Sequence, residues 1–230
     1  LHKMKNWKSW IKGIYDVEGN NPRLLVTGSA RLGMTKKMGE SLAGRYFHYR
    51  LHPLSVKEVK DILTPEEALE RLKLYSGFPE PFLENDDTFY KRWKRTHIDS
   101  ILRQDLLDLE SIKSIKPIEI LVELLRKRVG SPVSYASLSR DLQVDPKTIK
   151  RWLSILENLY IIFPVYPYHR NIARSILKEP KYYFYDTGQI PEAPGIRLEN
   201  LTACALLKEI HFRVDCHGEN AALHYVKNKE

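Results

Sequence analysis

The stretch RLLVTGSARL at residues 23–32, followed by SLAGR at residues 41–45, decides the fold of this chain. A short apolar run ends in a small turn that carries hydroxyl groups. A spacer of helical length then leads to a Gly-Arg pair and a second apolar run. In open α/β sheets, ligands bind beyond the carboxyl ends of the strands. Thr27 and Ser29 stand at such an end, so either hydroxyl could contact a phosphate or orient a water. The loop pattern G-x-x-x-x-G-K-[ST], which cradles phosphates, is absent from the sequence.

Composition limits the classes of protein to be considered. The chain has 230 residues, of which 43% are hydrophobic, and a formal net charge of +8. This length suits one large domain or two small ones, and the positive charge favours a polyanionic partner without choosing among DNA, RNA and nucleotide. No apolar run approaches the length that crosses a bilayer, and the two cysteines, Cys204 and Cys216, lack a C-x-x-C spacing. We therefore expect a soluble, cytoplasmic protein with free thiols and no membrane partner.

Residues 1–54 alternate between predicted helices and strands. Apolar spacing predicts helices over residues 4–15 and 36–42, and short apolar runs predict a buried strand at residues 24–26 and a second strand at residues 46–51. Helix, strand, helix, strand is the order of a layered α/β sheet. The fold class predicted for this part of the chain is therefore α/β.

From residue 55 the pattern becomes helical. Capping boxes at residues 55–58 and 64–67 predict two helix starts. A rigid turn is expected at residues 76–81, and an apolar stripe predicts a long helix over residues 86–112. This part is therefore predicted to be mostly α.

Three further helices and two β-rich runs follow. Apolar residues recur at helical spacing within residues 118–125, 138–142 and 149–156, and residues 160–165 and 181–185 predict a two-stranded hairpin. Three helices followed by a hairpin is the arrangement of a winged helix, in which the third helix is the recognition element.

A last unit is predicted to begin after residue 188. Residues 198–207 predict an amphipathic helix and residues 223–226 a strand. We expect this piece to be the start of another domain.

Six short motifs carry a resemblance to a known family. In chain order they are TGS (27–29), SLAGRYF (41–47), HPLS (52–55), GFPEP (77–81), YFYDTG (183–188) and LENL (198–201). Each is weak alone, but in this order they resemble the prokaryotic AAA-type P-loop ATPases that carry a winged helix and a C-terminal domain of unknown function. That terminal domain is itself similar to restriction-endonuclease-like folds. The resemblance covers nearly the whole chain.

The resemblance implies a division into four parts. Residues 1–54 would be the C-terminal part of the ATPase core, residues 55–113 a helical lid or linker, residues 114–188 the winged helix, and residues 189–230 the start of the nuclease-like domain. It also implies that a phosphate-binding loop and magnesium-binding acids precede Leu1. We therefore expect ATP and Mg²⁺ to bind to the intact protein, and we expect this chain alone not to hydrolyse ATP.

The predicted catalytic residues are Ser29 and Arg45, and the predicted nucleotide-binding residues add Thr27 and Arg31. By resemblance, Ser29 with Thr27 occupies the sensor position, where a hydroxyl orients the attacking water or contacts the γ-phosphate. The alternative is a turn whose hydroxyls cap the following backbone. Arg31 and Arg45 offer a planar, permanently charged fork of donors to the transferring phosphate, in the same or a neighbouring subunit. The alternative for either arginine is a salt bridge at the edge of the sheet.

The predicted nucleic-acid contacts are Lys147, Lys150, Arg151 and Ser154, on the outward face of the third helix of the winged unit. Residues 91–95, with the sequence KRWKR, form a second basic cluster. The alternative is a solvated face on a domain that serves as a lid or contacts another protein, which would be a second copy of the chain or a different partner.

Glu199 is the most specific acid of the terminal piece. In nuclease-like folds a glutamate on a helix helps to hold a divalent metal, but an acid near a helix N-terminus is also favoured by the helix dipole. Five histidines show no metal spacing: His48, His52, His97, His211 and His217. We predict no metal site in this chain.

Three functions are compatible with these observations. The first is part of a AAA-type ATPase that binds and hydrolyses ATP when intact and is coupled to DNA. The second is a winged-helix DNA-binding regulator whose ATPase half is degenerate, and the third is a nuclease-like effector that uses Glu199.

Overall fold

The computed structural model of this chain describes residues 6–19, 21, 23–28, 42, 44–109, 115–170, 178–191 and 193–227, with the backbone alone at residues 8 and 103–109. Two units are formed, Leu1–Tyr49 and Arg50–Glu230. The described structure is mostly helical, with one small mixed sheet. The domain boundaries expected from the sequence stay a prediction.

Helix α1, Trp7–Glu18, is the regular element of the first unit. It confirms the predicted N-terminal helix, although it begins and ends three residues later. Gly19 ends it with a φ of 62°, a backbone conformation that glycine adopts without strain, and the Gly19 N–H donates to the Tyr15 carbonyl at 2.9 Å.

The two strands predicted for the first unit are not formed, and that prediction is wrong. Residues 23–28 contain no regular element, and Leu24, Leu25 and Val26 are exposed, Leu25 by 88%. Residues 46–51 are likewise irregular. A strand forms only where a neighbour satisfies its backbone N–H and C=O groups, and no strand pairs with either run in the described part of the chain. The predicted helix at residues 36–42 lies outside the described residues, apart from Leu42.

The second unit begins with helices around a small core. A 3₁₀ turn, Val56–Glu58, precedes α2 (Pro65–Tyr75), α3 (Pro79–Glu84) and α4 (Asp87–Leu109). Both predicted capping boxes are confirmed, but the first opens the 3₁₀ turn rather than an α-helix. The core of this part consists of four buried residues: Val59, Ala68, Leu72 and Phe82.

Three helices then lead into two antiparallel strands, as the apolar spacing predicts. The helices are α5 (Lys116–Arg126), α6 (Tyr135–Leu142) and α7 (Pro146–Asn158), and the strands are β1 (Ile162–Pro167) and β2 (Lys181–Phe184). In the pair, Phe163 lies opposite Tyr183. Two of the predicted core positions on these helices, Leu142 and Trp152, are only half-buried. The others are buried: Ile118, Leu121, Val122, Leu125, Leu138, Ile149, Leu153 and Leu156.

Helix α8, Pro194–His217, and strand β3, His224–Tyr225, complete the second unit. The predicted terminal helix is confirmed and is longer than expected, and the predicted terminal strand is shorter. Strand β3 pairs parallel with β1, so the sheet has the order β2-β1-β3. Within the described residues, no helix combines the length and the apolar character that crossing a membrane requires.

Candidate functional site

The residues predicted to meet a nucleotide are only partly described. Thr27 is exposed, and Ser29 and Arg31 lie outside the described residues. Arg45 is half-buried, and its Nε donates to Oδ1 of Asp16 on α1 at 3.0 Å. The structure therefore gives Arg45 an acidic partner that the sequence analysis did not identify. The roles of the four predicted residues stay predictions.

The residues predicted to meet nucleic acid share one exposed face of α7. Lys147, Lys150, Arg151 and Ser154 are all exposed, because their spacing of three and four residues places them opposite the buried apolar face of the helix. The carboxylate of Asp145 accepts from the backbone N–H of Lys147 at 2.7 Å and caps the helix. Their contact with nucleic acid stays a prediction.

The segment before the 3₁₀ turn is held against the second half of α8. Arg50 donates to the Asp215 carboxylate from Nε at 3.0 Å, from Nη2 at 2.6 Å and from its backbone N–H at 3.0 Å. His52 Nε2 lies 2.7 Å from His211 Nδ1. Lys208 donates to the Pro53 carbonyl at 2.8 Å. We call these contacts, between residues 50–53 and α8, the clamp.

Burial and neighbouring charges in the clamp shift the pKa values of His52 and Asp215. Burial, with repulsion from Lys208 and Arg50, lowers the pKa of His52 to about 4, so His52 is neutral at neutral pH. Burial acts to raise the pKa of Asp215, but the hydrogen bonds from Arg50 outweigh it and lower that pKa. The clamp therefore joins a neutral His52, which contacts His211, to an ionised arginine–carboxylate pair.

A buried polar network lies at the end of β2. Asn200 of α8 accepts from the Phe184 N–H and donates to the Phe184 carbonyl, both at 2.8 Å. The Asp186 carboxylate accepts from the Gly188 N–H at 3.1 Å and from the Gln189 side chain at 2.8 Å. Since buried polar groups are costly unless they are paired, this network fixes the chain between β2 and α8. Apart from Gln189, its residues belong to the YFYDTG and LENL motifs.

Glu199 lies beside this network and is already engaged. Its Oε1 accepts from the Tyr183 hydroxyl at 2.8 Å and lies 3.4 Å from Lys181 Nζ. Among the described residues, no group of three or more His, Cys, Asp or Glu side chains could hold a metal ion. The nuclease-like role of Glu199 stays a prediction.

The clamp is not predicted from the sequence, in which His52 and His211 have no spacing that marks a site. One signal for it exists: Lys208, His211 and Asp215 follow one another at three and four residues, so they lie on one face of α8. Nothing in the sequence indicates that this face meets residues 50–53.

Family models match two parts of the chain. The model described as Domain of unknown function (DUF8612) matches residues 66–199, which is more than half of the chain. The chain belongs to the DUF8612 family. In this DUF8612 protein, residues 1–60 match a AAA domain, which relates the chain to AAA-type ATPases. The clamp therefore bonds the end of the AAA match to a part of α8 that follows the DUF8612 match.

Relatives of this DUF8612 protein occur in distant prokaryotes. An uncharacterised protein of Mycobacterium tuberculosis is 29% identical over 174 residues, covering 76% of this chain and 38% of the relative. One of Methanocaldococcus jannaschii is 25% identical over 71% of this chain and 41% of the relative, and one of Haemophilus influenzae is 24% identical over 82% and 52%. The chain thus spans about half, or less, of the length of these relatives. No solved structure matches it.

Proposed function

We propose that this chain is part of a AAA-type ATPase and that the intact protein binds and hydrolyses ATP with Mg²⁺. The observation that carries the proposal is the AAA domain match over residues 1–60. In this proposal residues 1–54 supply the C-terminal part of the nucleotide-binding core. Ser29 orients the attacking water, and Arg45 contacts the γ-phosphate, with Thr27 and Arg31 beside them.

The partner of Arg45 is compatible with that role. The Arg45 and Asp16 side chains remain 33% and 42% exposed, and ion pairs at this degree of exposure contribute about 1 kcal/mol or less. A phosphate can accept two parallel hydrogen bonds from one arginine, which is a stronger interaction than an exposed ion pair. Asp16 therefore holds the guanidinium in place at small cost until a phosphate replaces it.

An ATP titration of the intact protein tests this function. The wild type is expected to bind ATP in a magnesium-dependent way, and Ser29→Ala is expected to retain binding while it loses most of its hydrolysis. Ser9→Ala is the matched control, because Ser9 is an exposed hydroxyl residue on α1. Failure of the wild type to bind ATP would end the proposal, and equal hydrolysis by the two serine variants would remove the role of Ser29.

A second candidate function is DNA binding through a winged helix. Helices α5 to α7 are followed by the β1–β2 pair, and Val133, between α5 and α6, donates its backbone N–H to the Pro180 carbonyl next to β2 at 2.9 Å. This contact ties the helices to the strands. The exposed α7 face would then enter a major groove as the recognition surface.

Salt-dependent binding to duplex DNA tests the second candidate. Lys150→Gln and Arg151→Gln are each expected to weaken binding and to lower the slope of log affinity against log salt by about 1. Lys116→Gln is the control, because Lys116 is an exposed lysine at the start of α5 and lies outside the α7 face. If all three variants bind duplex DNA as the wild type does, α7 is a solvated face or a protein contact.

A further inference from the structure

A cleft between α4 and α5 carries a concentration of cations that neither proposed function uses. Its volume is about 470 Å³, which is within the range of small-molecule sites. Lys91, Lys94 and Arg95 line it from α4, and Arg126 lines it from α5. The α4 residues belong to the KRWKR cluster.

Two of these cations are fixed in the wall of the cleft. Lys94 Nζ donates to the Gly188 carbonyl at 2.7 Å, and Arg126 donates to the Glu123 carboxylate and to the Gln189 side chain. Arg126 Nε, however, is buried and has no acceptor among the described residues. A buried donor without an acceptor is uncommon and indicates a water, an ion or a ligand that completes the site.

The positive charge behind the cleft is not fully neutralised by the protein. Burial, followed by repulsion from Arg126, lowers the pKa of Lys94, and Arg197 also contributes. Asp186 and Glu123 are the acids that oppose them. The Asp186 carboxylate already accepts from the Gly188 N–H and the Gln189 side chain, and Glu123 already accepts from Arg126. Among the described residues, Arg197 donates to the neutral carbonyls of Lys73 and Ile190, the latter at 3.1 Å. An anion in the cleft would relieve this repulsion.

The rest of the lining indicates what the anion is attached to. Half-buried Ile98 gives the cleft an apolar surface above the buried Leu102 and Val122. Asp99 and Glu119 add negative charge besides that of Glu123. A uniform polyanion laid along both walls would meet these acids. A ligand with one anionic end and an apolar body would place each part against a matching surface.

We propose that this cleft binds a small phosphate-bearing ligand of the nucleoside phosphate class. The phosphate lies against Lys94, Arg95 and Arg126, and the apolar body lies against Ile98, above the buried Leu102 and Val122. This site is built from the second unit alone and shares no residue with the nucleotide site proposed for residues 1–54.

Isothermal titration calorimetry tests the proposal. The 230-residue chain is titrated with ADP and, separately, with inorganic pyrophosphate. Both probes are expected to bind, ADP more tightly because of the apolar surface. Arg126→Gln and Arg95→Gln are each expected to weaken ADP binding about tenfold, the effect of losing one charge-assisted hydrogen bond. Lys60→Gln is the matched control, since it removes the same charge from an exposed lysine outside the cleft, and it should bind as the wild type does.

Three results would overturn the proposal. They are absence of ADP binding to the wild type, equal ADP affinity in Arg95→Gln and Lys60→Gln, and a loss of binding that follows Arg45→Gln but not Arg95→Gln. The last result would assign the ligand to the site proposed for the first unit. If Arg126→Gln does not fold, Arg95→Gln decides alone, because Arg95 is exposed.

Discussion

Removal of the Asp215 carboxylate should destabilise the second unit markedly. Arg50 donates three hydrogen bonds to this carboxylate, and the two side chains are only 14% and 9% exposed. Breaking a buried ion pair from one side costs about 3–5 kcal/mol, because the other charge stays buried without its partner. Since the Arg50–Asp215 pair retains a little contact with solvent, we expect Asp215→Ala to lower the free energy of unfolding by about 2–3 kcal/mol.

A double-mutant cycle separates the ion pair from the rest of the clamp. The free energy of unfolding is measured by urea titration, followed by far-ultraviolet circular dichroism, for Arg50→Ala, Asp215→Ala and the double variant. The backbone N–H of residue 50 can still donate to Asp215 in Arg50→Ala, so the cycle reports the guanidinium–carboxylate contacts alone. We expect a coupling energy of about 1.5–2.5 kcal/mol.

The pair Arg213–Glu209 on the same helix is the control. Its charged atoms are 4.0 Å apart, and its side chains are 52% and 61% exposed, so its coupling energy should be below about 0.5 kcal/mol. A coupling energy for Arg50–Asp215 no larger than that of the control would refute the reasoning, because the clamp would then contribute no more than a surface contact.

Three further predictions concern the second unit. As the pH falls from 6.5 to 4, the free energy of unfolding of this unit should decrease by about 1–2 kcal/mol. The pKa of His52 is lowered from 6.5 to about 4 by folding, so the unfolded chain takes up a proton at a higher pH than the folded chain does. If urea titrations over this pH range show the same decrease in His52→Gln as in the wild type, this explanation is wrong. Asn200→Ala should cost about 1–3 kcal/mol in the same assay, because the buried Phe184 N–H loses its Asn200 acceptor and the Phe184 carbonyl keeps only the weaker Cys204 thiol as a donor. A cost below about 0.5 kcal/mol would be inconsistent with the network. Gly188→Ala should lower the midpoint temperature of thermal unfolding, because the added Cβ would lie 1.7 Å from the Tyr90 hydroxyl oxygen. Adding Tyr90→Phe to this variant removes that oxygen and should restore part of the lost midpoint temperature. No restoration would contradict the proposed clash.

The helices of the second unit could be predicted because their signals are local. Apolar residues at helical spacing place one face of α5 and α7 in the core, and the N-caps at Thr64 and Asp145 act within the first turn of their helices. Both strands of the β1–β2 pair were predicted for the same reason. The observed ends of these helices differ from the predicted ones by a few residues, because the last turn of a helix depends on its neighbours.

The strands of the first unit could not be predicted in this way. The apolar runs at residues 24–26 and 46–51 have the composition of buried strands, but whether such a run is buried depends on which strands pair with it. In the described structure no strand does, and Leu25 and Phe47 are exposed. The residue types in these runs favour a strand, but whether a strand forms depends on a neighbouring strand that pairs with it.

The clamp and the buried network could not be predicted because their partners are distant in the chain. Arg50 and Asp215 are 165 residues apart, and His52 and His211 are 159 apart. The acidic and basic residues on α8 have the pattern of a solvated helix face. Only the packing of residues 50–53 on that face makes them a buried cluster.

The most direct test of whether this chain is part of a AAA-type ATPase is steady-state ATP hydrolysis by the intact protein. The rates of the wild type, Arg45→Ala and Asp16→Asn are compared. If Arg45 stabilises charge on the transferring phosphate, Arg45→Ala should reduce turnover by about 10³-fold or more. Asp16→Asn, which removes the carboxylate that accepts from Arg45, should retain turnover within a few-fold of the wild type. Equal turnover by the wild type and Arg45→Ala, or no turnover by the wild type, would contradict the account.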